Sequence, residues 1–134
     1  MRERATVVSK LTGTGVGRGV AAGPVLRMPD PLQEPLDAVR TADATSEVSR
    51  ANEALAAVGV WLGQHAVKVG GDAQAVLEAQ ALMAGDPAIA KDVSKRIHDG
   101  KTAERAVFEA FGAFQALLEG MGGYMGERSA DLAD

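Results

Sequence analysis

The amino-acid sequence predicts a mainly α fold: a four-helix arrangement of two helical hairpins with a kinked second helix, preceded by an N-terminal β arm that belongs to an incomplete α/β subdomain. Three observations predict it. From about residue 43 onward, apolar residues recur with a period near 3.6, without strand alternation. Glycine, proline and short polar residues interrupt that pattern at helical lengths. Aromatic residues make up only 4% of the chain while alanine is abundant, so small and aliphatic side chains must fill the interior, which favours helix packed on helix.

The arm comes first. "TVVSKLTGTGVGRGVAAGPVLRM", residues 6–28, reads as two short β segments, around Thr6 to Leu11 and Val20 to Met28, joined by a glycine-rich bend. Glycines at 13, 15, 17, 19 and 23 raise the question of a phosphate-cradling loop. A dinucleotide fingerprint needs GxGxxG between a strand and a helix. Gly13 and Gly15 are followed by Arg18, Gly15 and Gly17 by Val20, no Lys-Ser or Lys-Thr pair closes a P-loop, and Pro24, Pro29 and Pro31 preclude a following helix. The spacing therefore speaks against nucleotide binding. Two strands alone are marginal in water, and nothing downstream supplies partner strands, so the arm reads as part of a larger sheet. The organisation is residues 1–30 as arm and 31–134 as helical subdomain.

After the proline-spaced linker "RMPDPLQEPLD", a first helix runs from about Asp43 to Val69, with Val48, Ala51, Leu55, Val58, Leu62 and Ala66 on one face and Gly70-Gly71 as its stop. A second starts at Asp72 as N-cap, with Val76, Leu77 and Ala81 inward. It breaks at "AGDPA": Gly85 is suited to a left-handed conformation, Asp86 to capping and Pro87 to the first position of a new helix. Ile89, Val93 and Ile97 stand four apart on the next helix, which "HDG" ends. Thr102 is a fair N-cap for another helix, whose stripe is Ala103, Val107, Ala110, Phe114 and Leu117, flanked by Phe111 and Leu118. "ERSADLAD" begins a last helix.

Charge and chemistry narrow the function. A net charge of -4 and a pI near 5.2 speak against nucleic acid and for a basic partner surface. No stretch has the length and apolarity of a signal peptide or membrane span, and the absence of cysteine fits the cytoplasm. With two isolated histidines a transition-metal site is not expected. His65 reads as a packed or edge histidine and His98 as a cation at a helix C-terminus. The serines lack a nucleophile elbow, and the carboxylates alternate with Lys and Arg as on solvated faces. The stretch without a bland account is "DAQAVLEAQALMAGDPAIA", residues 72–90. If Val76, Leu77 and Ala81 face inward, Leu82, Met83 and Ile89 cannot all follow, because adjacent helical residues diverge by about 100°. They either form a docking patch at the kink or fill the seam between hairpins.

Four blocks in this order, "LTGTGVGRGVAAGPVL", "VLEAQALMAGDPAI", "AERAVFEAFGAF" and "YMGERSADLAD", are spread over nearly the whole chain. They resemble the N-terminal region of the Enzyme I family, the phosphoenolpyruvate-protein phosphotransferases of the bacterial sugar phosphotransferase system. The resemblance implies an enzyme that takes a phosphoryl group from phosphoenolpyruvate on a histidine of an α/β subdomain. That group then passes to the phosphocarrier HPr, which docks on an inserted helical subdomain. Residues 1–30 would be the first strands of the phosphohistidine subdomain and 31–134 the HPr-binding subdomain. The family's glycine-rich segment ending in Ser-His is missing: Gly70-Gly71 is followed by Asp72 and Gly122-Gly123 by Tyr124. No catalytic residue is therefore expected here, and the chain alone is expected to be inactive. The positions similar to HPr contacts are Asp72, Ala75, Gln80, Leu82, Met83 and Ile89, with Leu117, Met125 and Arg128 from later helices. Some members carry an acidic run and a lysine where this chain has Gly71, Asp72 and Ala73, and a histidine where it has Gln80, which implies different docking electrostatics. Mg2+ is implied for the full-length family enzyme and no cofactor for these residues; phosphoenolpyruvate would be reached only through other domains. The alternative is a helical adaptor or self-association module with no phosphotransfer role.

Overall fold

The computed structural model describes residues 8–15, 17–27 and 29–123, and the chain divides into two units, Met1–Pro31 and Leu32–Asp134. Over the described residues of the first unit no strand forms, and Val8, Leu11, Val20, Val25 and Leu26 are exposed. The two expected β segments are therefore not paired there; a ladder with no third strand or packed face buries too little apolar area to hold. Thr6, Val7 and Met28, at the ends of those segments, lie outside the described residues. The glycine-rich stretch bends at residues 17–19, where Gly19 has φ 105°.

The second unit contains four helices among the described residues: α1 (Ala44–Val69), α2 (Gly71–Ala84), α3 (Pro87–His98) and α4 (Ala103–Met121). Asp43 caps α1, accepting from the Ser46 N–H at 3.0 Å. Gly70, with φ 66°, ends α1 and serves as the N-cap of α2. Asp72 is thus not the N-cap the sequence pointed to. It sits in the first turn of α2, where a carboxylate complements the exposed N–H groups. At the kink, Asp86 accepts from the Ala88 N–H at 2.7 Å, and Pro87 opens α3. Gly85, however, has φ -95° and ψ 6° and not the left-handed conformation expected of it. Its N–H instead stays bonded to the Ala81 and Leu82 carbonyls, so the last turn of α2 tightens and does not reverse hand. Thr102 caps α4 through the Arg105 N–H.

α1 pairs with α2, and α3 with α4, which gives two hairpins joined at the Gly85 kink. The core lies where α1, α3 and α4 meet: Ala51 of α1, Ile89, Val93 and Ile97 of α3, and Ala103, Ala106 and Ala110 of α4, with Val48, Val107, Phe111 and Phe114 packed against it. Alanine at three turns of α4 lets the backbones approach closely, and the branched residues of α3 fill the remaining space. On α4 this turns the buried line toward Ala106, so Leu117, expected in the stripe, is exposed. Of the face expected inward on α1, Ala51, Leu55 and Ala66 are buried but Val58 is exposed, as is Val76 of α2, where Ala84 is the buried residue. Among the described residues no helix is long and apolar enough to cross a membrane. The expected last helix, "ERSADLAD", lies outside the described residues.

Candidate docking surface at the kink

Two parts of the hairpins carry the residues singled out in the sequence. The first is one face of α2. Asp72, Ala75, Ala79 and Leu82 follow at intervals of three and four and so share a side of the helix. Asp72, Ala75 and Leu82 are all exposed, Leu82 at 77%. Gln80 and Met83, three apart, occupy the neighbouring side and are half-buried. α2 is apolar around most of its circumference, yet only Ala84 is buried.

The second part is a groove on the α3–α4 hairpin of about 190 Å³, lined by Ala88, Ile89 and Asp92 of α3 and by Ala110, Ala113, Phe114 and Leu117 of α4. Ile89 and Leu117, far apart in sequence, meet here. The structure corrects one expectation: Ile89 is 3% exposed and belongs to the core, so it forms the floor of the groove and is no outward ledge. Three residues on from Asp86, it starts the inward face that Val93 and Ile97 continue at steps of four. Leu117, at 59% exposure, stands at the rim. The seam reading of Leu82 fails on its exposure, whereas half-buried Met83 fits it in part. Met125 and Arg128 lie outside the described residues. A larger concavity, about 330 Å³, runs between α1 and α4 and is lined by Arg50, Ala51, Ala54, Ala103, Glu104 and Val107. It contains none of the singled-out positions.

The polar edge of the groove belongs to a charge network that sequence spacing revealed only in part. Arg96 donates from Nε to Asp92 at 3.0 Å and from a terminal nitrogen to Glu109 at 2.8 Å. Glu109 also accepts from Arg105 at 2.7 Å and pairs with Lys101 at 3.3 Å. The Arg105 hydrogen bond, outweighing the opposing effect of burial and joined by Arg96 and Lys101, pulls the Glu109 carboxyl down to about 2. Burial works against the Arg96 charge, but its bonds to Asp92 and Glu109 outweigh that and raise its pKa. The carboxylates were expected on solvated faces; Glu109 is instead enclosed by three cations. Asp92–Arg96 and Arg105–Glu109 are readable as i,i+4 pairs, whereas Arg96–Glu109 joins two helices and has no local signature. The sequence reading also missed Glu47, a buried carboxylate of α1 that accepts from the Ala103 N–H at 2.7 Å and so caps α4 from another helix.

Each histidine has a partner within its own helix. His65 stacks on Trp61 with ring centroids 3.9 Å apart, and His98 Nδ1 lies 2.8 Å from the Ser94 carbonyl in the last turn of α3. Among the described residues no three His, Cys, Asp or Glu side chains are grouped to hold a metal ion, and Asp92 and Glu109 are engaged by guanidinium groups. What the surface offers is apolar contact beside fixed charge.

Comparison with known proteins identifies the family. The family of PEP-utilising enzymes, N-terminal, matches residues 12–128. A phosphoenolpyruvate-protein phosphotransferase of Streptomyces coelicolor is 49% identical over 125 residues, which are 92% of this chain and 22% of that protein. One from Haloferax volcanii is 45% identical over 69 residues, 52% of this chain and 12% of that protein. The chain thus spans about a fifth or less of the length of the curated relatives it matches. No solved structure matches it.

Proposed function

Because the chain belongs to the N-terminal family of PEP-utilising enzymes, we propose that residues 31–134 are the docking part of a cytoplasmic phosphoenolpyruvate-protein phosphotransferase, the part that receives the phosphocarrier HPr. The parent enzyme moves a phosphoryl group from phosphoenolpyruvate, through one of its own histidines, to HPr for sugar uptake. The phosphorylated histidine, the phosphoenolpyruvate site and Mg2+ belong to other parts of that enzyme. Residues 1–30 contribute strands to its phosphohistidine subdomain.

One observation carries this reading: an open apolar groove on the α3–α4 hairpin, floored by Ile89 and rimmed by Leu117, with Leu82 exposed on the helix that leads into the same kink. Phosphoryl transfer between two imidazoles passes through a loose in-line transition state, so catalysis depends mainly on positioning and charge stabilisation. The helical unit's task is then to hold HPr where its histidine meets the donor. Full burial of a Leu or Met side chain stabilises by roughly 1.5–3 kcal/mol, so a few such contacts support a complex that forms and dissociates in every turnover.

Titration of the chain with HPr from the same organism tests the proposal. Amide shifts are expected at Leu82, Met83, Ala88 and Leu117; shifts that stay flat at millimolar HPr overturn it. Sedimentation covers the adaptor alternative, which requires a dimer that Met83→Asp dissociates and no response to HPr. The chain alone is expected to take up no label from phosphoenolpyruvate.

A further inference from the structure

The linker ahead of α1 has a form of attachment unlike the rest of the helical unit. Leu32, Leu36 and Val39, its large apolar residues, are all exposed, so apolar burial does not hold it down. Its contacts are polar and converge on the turn between α3 and α4. Arg105 donates to Glu34 at 2.5 Å and to the Pro35 carbonyl at 3.0 Å, and Lys101 donates to Asp37 at 2.5 Å. The Arg40 N–H donates to the Gly100 carbonyl and its Nε to the Ile97 carbonyl, each at 2.8 Å, beside an isolated antiparallel bridge between Val39 and Lys101.

The cations on the hairpin side each have a second partner. Arg105 remains bonded to Glu109 and lies 5.4 Å from the Phe108 ring centroid, and Lys101 also pairs with Glu109. On the linker side, the carboxylates of Glu34 and Asp37 are more than half exposed. Detaching the linker would therefore return two carboxylates to water and leave no unpaired charge enclosed in the hairpin, which is the condition for opening at low cost.

We propose that residues 34–40 form a polar latch on the α3–α4 turn, one that opens and closes while the helices stay packed. Closed, it fixes the point at which the chain enters α1. Open, it turns residues 34–40 into free tether between the first unit and α1. Through Glu109 and Arg96 the network that holds the latch continues to Asp92, which lines the groove, so latch and groove share one set of charges. This inference rests on the contacts above and stands or falls independently of HPr docking.

Hydrogen exchange at the Arg40 amide, which the closed latch protects, reads the opening directly. Two perturbations are used: salt near 1 M, where the screening length falls to about 3 Å, and the double variant Glu34→Gln with Asp37→Asn, which leaves the hairpin cations and Glu109 untouched. Each is expected to speed Arg40 exchange roughly tenfold with the amides of Val93 and Ala106 unchanged, since the exposed pairs are individually weak. The chain has no cysteine, so a nitroxide on Leu36→Cys provides a second readout, expected to gain mobility under the same conditions. Arg40 exchange and label mobility indifferent to both perturbations would overturn the latch. So would Arg40 exchange that accelerates only in step with Val93 and Ala106, since the segment would then unfold with the core.

Discussion

α2 and α3 are consecutive helices of similar length on either side of one kink, and they invest their apolar residues in opposite ways. α3 spends few and buries them: Ile89, Val93 and Ile97 lie on one line facing α1 and α4, while Asp92 pairs with Arg96, which also reaches Glu109 of α4, and Lys95 pairs with the C-cap Asp99. α2 is richer in apolar residues but buries only Ala84, with Leu82 almost fully presented to solvent. Amphipathic separation is what a helix needs to be held by its own unit. A helix that is apolar on several sides and packed on one has surface left for another molecule, and the chain runs from that helix through the kink after Ala84 into α3, which supplies the groove floor Ile89.

The contrast breaks most visibly in α3. Ile97→Ala removes a fully buried side chain from a core of close-packed alanines, which cannot collapse into the gap; a loss of about 2–5 kcal/mol is expected, read as a lower denaturation midpoint in urea. A loss below about 1 kcal/mol would mean that α3 is no more anchored than α2. On the docking proposal, Leu82→Asp in α2 gives the reverse pattern. Folding stability is expected to change by no more than about 0.5 kcal/mol, while HPr binding weakens at least about tenfold, or 1.4 kcal/mol. Calorimetric titration of the two variants separates the helices: one fails to fold firmly, the other folds and fails to bind.

Acid distinguishes the charged side of α3 and α4 from α2, where no such network exists among the described residues. Glu109, held near 2 by Arg105 together with Arg96 and Lys101, has a folded pKa below its unfolded value. Its contribution to stability is therefore complete above about pH 4.5 and is lost as pH falls from there through about 2. Glu109→Gln should lower stability at neutral pH and flatten this part of the pH dependence, as read by thermal unfolding between pH 2 and 6. An unchanged acid limb would assign the dependence to other carboxylates.

How much of this was legible depended on whether the cause was local. Asp86 and Thr102 were readable as caps and Pro87 as a helix start because capping is decided within a few residues, although the same local signal misplaced the cap of α2 at Asp72, where Gly70 serves. The line Ile89, Val93, Ile97 was readable because nothing else on α3 is apolar enough to compete. On α1, α2 and α4, apolar residues occupy several faces, and the choice among them depends on where neighbouring helices lie. Hence Val58, Val76 and Leu117 were placed inward and are exposed. For the site, Leu82 could be found from angular conflict with its neighbours, but the same argument could not show that Ile89 goes to the core and leaves only its edge to the groove. Glu47 on Ala103 and Arg96 on Glu109 were invisible, since both join helices that only folding brings together.

The finest test of the comparison lies in the two glycines that bound α2. Gly70, at φ 66°, is in the left-handed region, where an L side chain meets steric resistance; Gly70→Ala is expected to cost about 1–2 kcal/mol although a Cβ there meets nothing. Gly85, at φ -95°, is in a region open to any residue, and a Cβ there would lie 3.7 Å from the Leu82 carbonyl oxygen, an ordinary contact. Gly85→Ala should therefore be neutral or stabilise by up to about 1 kcal/mol, through the lost freedom of the unfolded chain. Urea midpoints of the two variants measure the difference. If Gly85→Ala destabilised as much as Gly70→Ala, the kink would need a conformation other than the tightened turn, and the path of the chain from Leu82 into α3 would have to be drawn again.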